Sequence, residues 1–118
     1  MDAGHLSSAA LMLSGAAGIA IPHRFSEALD LTPGSGRGIT ETRAGLGGTY
    51  AALGAYALLS GSAGAQRAIA ATWLGAGAVR LAAMKTDRPS TDLIYWGSLA
   101  MELGLGAAAL ATAGRRRR

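Results

Sequence analysis

The stretch LIYWGSLAMELGLGAAALATA, Leu93 to Ala113, decides the fold. It contains one charged residue, Glu102, and no proline. As a helix rising 1.5 Å per residue it is about 31 Å long, close to the roughly 30 Å of bilayer hydrocarbon. Three similar runs precede it. Leu6 to Ile21 has no charge, Ala44 to Ser60 follows Arg43, and Ala68 to Met84 is broken once by Arg80. A helix in water carries charge on its outward side, and these runs have no such side. The spacing predicts helices over about 6–21, 43–60, 67–84 and 92–113, with a loop at 22–42 and a basic tail at 114–118. Short links make neighbouring helices antiparallel. The expectation is a single domain, 1–118, that is all-α: a polytopic membrane protein with four transmembrane helices in an antiparallel bundle.

Composition agrees. Of 118 residues, 27 are Ala and 18 are Gly, while 15% are charged and 5% aromatic. Glycine-rich helices are weak in water, because each Gly costs about 1 kcal/mol against Ala. In lipid, small residues let helix backbones approach closely. The absence of Cys excludes a disulfide framework, a zinc-thiolate site and a cysteine nucleophile. The N-terminus lacks a basic region and a clear cleavage site, so the first run reads as a retained helix rather than a signal peptide.

The loop 22–42 is polar and contains the flexible stretch Pro33 to Gly38. Phe25, Ala28, Leu29 and Leu31 in it read either as one face of a short interfacial helix or as an ordinary exposed turn. Four helices place both chain ends on one side, together with Arg67 and Arg115 to Arg118. Arg24, Arg37, Arg43, Lys85 and Arg88 fall on the other side. The terminal arginine block tips the orientation toward cytoplasmic ends. Tyr95 and Trp96 read as interfacial anchors. No structured basic surface accompanies the arginine block, so nucleic acid is not an expected partner, and membrane lipid is.

Small residues recur at helix-packing intervals. Gly47 and Gly54 lie seven apart, Gly48 sits between Ala44 and Ala52, Gly75 follows Ala71 by four, and Gly97 precedes Gly104 by seven. These six glycines read as packing sites, either within the bundle or against a partner. Gly104 to Ala109 matches a dinucleotide-binding pattern, but no strand precedes it.

The polar residues inside the runs are the other candidates, because an ionisable side chain in lipid is costly and marks function by default. Folding the last two helices back around Arg88 brings Glu102 about 7 to 8 Å deeper than Arg80, a distance that an arginine side chain nearly covers. Glu41 and Arg43 enter at the same face. Glu41, Arg43, Arg80 and Glu102 are therefore expected as one intramembrane polar cluster. It reads as a structural ion pair, as a snorkelling Arg80 beside a protonated Glu102, or as a site for a lipid headgroup, ion or proton. No nucleophile–base set, metal-ligand cluster or cofactor motif accompanies it. His5 and His23 lie outside the runs. A non-enzymatic protein with no cofactor is the expectation.

In order, the chain has Pro22, Phe25 with Leu29 to Leu31, then Glu41-Thr-Arg43-Ala-Gly-Leu-Gly47-Gly48, Arg80, Pro89-Ser90 and Glu102. This order resembles a widespread bacterial domain-of-unknown-function family of short four-helix membrane proteins. The sharpest part is Arg43-Ala-x-x-Gly47-Gly48. Leu46 stands where members often have an aromatic residue. The resemblance covers nearly the whole chain and implies the fold without an activity. Ten Arg to one Lys, abundant Ala and no Asn suggest a GC-rich, actinobacterial genome. By analogy with the envelope machines of such bacteria, the leading expectation is a small accessory subunit of a larger membrane complex, for example a lipid transporter of the mammalian-cell-entry type. The alternative is an independent binding or carrier protein for a lipid or small apolar molecule.

Overall fold

The computed structural model describes residues 2–116 and is all-α. The outermost residues of the basic tail, Arg117 and Arg118, lie outside the described residues. Helix α1 (Ala3–Ala20) starts on an Asp2 cap, whose carboxylate accepts the His5 amide at 2.9 Å while the His5 ring accepts the Asp2 amide at 3.3 Å. It stops at Ile21 because a residue before proline is pushed out of the helical region. Pro22 then opens α2 (Pro22–Ala28), as proline fits a first helical position. This helix ends in a Schellman motif: the Leu31 amide bonds the Ser26 carbonyl at 2.8 Å and the Asp30 amide bonds that of Glu27 at 3.0 Å. Asp30 supplies the left-handed residue at φ 57°.

The second long rod starts earlier than the sequence suggests. Ser35 caps α3 (Gly36–Glu41) by accepting the Gly38 amide. The backbone stays helical through a π-helical segment at Thr42–Gly48 and on into α4 (Thr49–Ser60). Residues 22–42, read from sequence as a loop, are therefore largely helical. Gly61, at φ 63°, ends α4 in the left-handed conformation that glycine adopts without Cβ strain. Ser62 then caps α5 (Ala63–Asp87). Asp92 accepts the Tyr95 amide at 2.9 Å and opens α6 (Leu93–Arg116).

The contacts fix the directions of the rods. A Cβ on Gly54 would meet Met12 and Ser8, whereas one on Gly18 would meet Gly47. So α4 and the π segment run antiparallel to α1. Gly77 faces Leu103 and Gly106 faces Leu74, so α5 and α6 are antiparallel as well. Ser7 donates to the Leu105 carbonyl at 2.7 Å and Gly4 faces Thr112, which aligns α1 against α6.

The interior mixes an apolar cluster around Leu11, Ile69 and Trp73 with buried polar side chains. The largest fully buried side chains are Leu11, Ile69, Gln66, Thr112, Ser7, Ser8 and Ser26. Gln66 donates to Ser8 Oγ at 2.9 Å and the Gly4 carbonyl at 3.3 Å, and Trp73 Nε1 donates to the Ser7 carbonyl at 3.2 Å. Meanwhile Leu59, Leu93, Val79, Leu13, Leu6 and Leu110 are exposed. Two helices, α1 and α6, are long and apolar enough to cross a membrane.

Candidate functional site

The site grows from the α5–α6 seam. Trp73, Ala76 and Arg80 share one face of α5 because they lie three and four residues apart. On α6 the same spacing aligns Tyr95, Ser98 and Glu102. Arg80 and Glu102 meet in a two-pronged pair, Nε to Oε2 at 2.9 Å and Nη2 to Oε1 at 2.7 Å. The Glu102 side chain is 7% exposed and that of Arg80 is 26% exposed. The guanidinium lies over the Tyr95 ring, 5.4 Å from its centroid, and the Tyr95 hydroxyl donates to the Arg80 carbonyl at 3.0 Å. Tyr95 is thus turned onto the arginine, whereas Trp96 is exposed.

Glu41 and Arg43 do not join this pair. Glu41 is exposed at the end of α3. Arg43 reaches across to α1 and donates from Nη1 to the Ile19 carbonyl at 2.6 Å. That carbonyl lies in the last turn of α1, where acceptors lack helical partners and a cation is favourable. The four-residue cluster expected from sequence is therefore two features: an ion pair between α5 and α6, and an arginine cap on α1.

Two adjoining cavities flank the pair. An inner chamber of about 170 Å³ lies among α1, α4, α5 and α6. Its walls include Leu11, Leu46, Tyr50, Trp73 and Met101, and Phe25 and Leu29 of the α2 segment close it on one side. A vestibule of about 280 Å³ lies outside, with Glu27, Asp30, Asp92, Ser90 and Tyr95 in its lining. Leu29, Arg80 and Ser98 line both. Arg80 thus stands between a mostly apolar cavity, which Glu102 also lines, and a more polar one. Sequence reasoning missed Trp73, Ser98 and the three vestibule carboxylates. The seven-residue spacing of Trp73 and Arg80 was an available signal, because it places both on one face two turns apart.

The packing glycines also divide. Gly47 and Gly54 lie against the α1 backbone, and Gly48 meets only the Arg43 carbonyl at 3.7 Å. Gly75, Gly97 and Gly104 meet nothing within 4 Å. Inside the bundle, close approach falls instead to Gly4, Gly15, Gly18, Gly77 and Gly106.

At the far end, Arg116 donates to the Gly61 carbonyl at 2.9 Å and approaches Asp2 at 3.3 Å. The Asp2 carboxyl is held well below the usual range, first by the His5 amide, then by the His5 side chain and the nearby Arg116 charge.

Comparison with protein-family models, curated proteins and solved structures finds no match to this chain.

Proposed function

We propose that this chain is a bacterial inner-membrane protein whose four rods, α1, α3 through α4, α5 and α6, cross the bilayer as an antiparallel bundle. On this reading it binds a small amphipathic molecule in the chamber above the Arg80–Glu102 pair. The membrane reading is supported by the many large aliphatic side chains left on the outside, Leu59, Leu93, Val79 and Leu13 among them, and by two helices long and apolar enough to cross a membrane. The 47 Å long axis also suits a bilayer of about 40–45 Å with its headgroups. The binding reading rests on one observation: a mostly apolar chamber lined at one end by a charged pair and adjoined there by a cavity rich in carboxylates. Ligand pockets combine mostly apolar walls with a few placed polar groups.

The chain has no cysteine, so single Cys probes test the topology cleanly. Cys at Ser35 or Ser90 should label from one membrane side, and Cys at Ser62 from the other. Labelling of all three from one side would overturn the four-span arrangement. Binding is tested by extracting native membrane in mild detergent and identifying co-purified small molecules by mass spectrometry. Ala76→Phe, which fills the chamber, should release them without loss of helicity. Retention by this variant would place the ligand elsewhere.

A second reading is an accessory subunit of a larger membrane complex. It is supported by Gly75, Gly97 and Gly104, which stand open on the outer faces of α5 and α6, where close helix contact with another chain is sterically free. Affinity purification from native membrane should then recover a stoichiometric partner. Recovery of the protein alone would count against it.

A further inference from the structure

The order of chemistry along the two cavities specifies more than an apolar guest. Leu11, Trp73 and Met101 line one cavity, the carboxylates of Glu27, Asp30 and Asp92 line the other, and Arg80 lines both. Arg80 spends Nε and Nη2 on Glu102, and Tyr95 covers one face of its guanidinium. The Nη1 edge makes no hydrogen bond to another described residue. An arginine has five N–H donors, so this edge is free to hold an anionic oxygen at the junction. Asp92 uses one oxygen to cap α6 and keeps the other free, and Glu27 and Asp30 form no salt bridge among the described residues.

Resting on the chamber reading above, we infer that the site takes a zwitterionic single-chain phospholipid, with the headgroup-proximal part of its chain in the chamber, its phosphate on Arg80 and its terminal ammonium among Glu27, Asp30 and Asp92. The sequence tail, anion, cation in such a lipid matches the sequence apolar, guanidinium, carboxylate in the protein. The Nη1 edge that Glu102 leaves open can donate a charge-assisted hydrogen bond to a phosphate oxygen. A lipid with a phosphate but no ammonium would meet the three carboxylates without compensation, which disfavours it through like-charge repulsion.

Trp73 lines the chamber and reports occupancy directly. With Trp96→Phe removing the other tryptophan, brominated-chain lysophosphatidylethanolamine should quench Trp73 at concentrations at least tenfold below those needed for brominated-chain lysophosphatidylglycerol. The variant Glu27→Gln, Asp30→Asn, Asp92→Asn should erase that ratio while both lipids still quench. Its Asn residues keep the α6 cap and the left-handed turn. Arg80→Gln should weaken both lipids by a similar factor, because both carry the phosphate. Equal quenching by the two lipids in the parent, or a ratio unchanged in the triple variant, overturns the headgroup assignment and leaves the chamber reading standing. Failure of either brominated chain to quench Trp73 overturns both.

Discussion

Arg80 and Glu102 hold each other through two parallel hydrogen bonds, at 2.9 and 2.7 Å, from helices that run in opposite directions. Breaking a buried pair leaves one charge without compensation, whereas replacing both partners by apolar residues is often neutral. Glu102→Gln should therefore lower stability by about 3 kcal/mol, the low end of the range for buried pairs, because a quarter of the Arg80 side chain is exposed. The double variant Arg80→Met, Glu102→Leu should recover most of that loss. Thermal unfolding in mild detergent measures both, and a double variant as unstable as the single one would show that the pair contributes more than its mutual neutralisation.

Glycine substitutions should separate into two groups. At Gly54, a Cβ would lie 2.5 Å from the Met12 amide nitrogen and 2.6 Å from the Ser8 carbonyl oxygen, both rigid backbone. Gly54→Ala should cost about 1–3 kcal/mol through forced separation of α1 and α4. Gly104→Ala meets open space and should be neutral or gain up to about 1 kcal/mol from helix propensity. The same melting assay distinguishes them.

Arg43→Met keeps the aliphatic stem but loses the bond to the Ile19 carbonyl. The final turn of α1 should fray, with faster amide hydrogen exchange from Ile19 to Phe25 and a loss of about 1 kcal/mol, discounted for exposure. Exchange unchanged across this segment would show that the backbone bonds at the α1–α2 corner suffice without the arginine.

Asp2 gives a pH dependence with a definite sign. Its folded-state pKa is depressed, chiefly by the His5 amide. Its contribution is thus fully present above the ordinary carboxylate value of 3.8 and declines as pH falls below that toward the lower folded value. Comparing Tm of the parent and Asp2→Asn should show their difference shrinking as pH falls below about 4. A constant difference across that range would assign the effect to the cap geometry rather than to the charge.

The all-α class was legible because four long runs carry at most one charge each and show no strand-like alternation. The meeting of Arg80 and Glu102 followed from counting residues back from one turn. The facing of the glycines was not legible. When every side of a helix is small and apolar, no periodicity marks which side turns inward, so Gly75 and Gly77 look alike in sequence although only Gly77 is packed. Arg43 was misplaced for a related reason. Residue spacing locates the start of its helix but not the Ile19 carbonyl on a neighbouring one. The π segment had no signal beyond its glycines, and the helical start at Ser35 was hidden by the surrounding Gly and Pro.

In the proposed membrane setting, the Arg80–Glu102 clasp also governs biogenesis. Arriving alone, α6 would carry a bare carboxyl into lipid at about 2.5–3.5 kcal/mol on the insertion scale. Because α5 is synthesised first and only the short link 88–92 separates the two helices, they can leave the translocation channel as a neutralised hairpin. Arg80→Leu should then raise the share of newly made chains whose α6 is open to protease. The ion pair thereby acts as an admission check, applied before the bundle exists and independent of anything the finished protein binds.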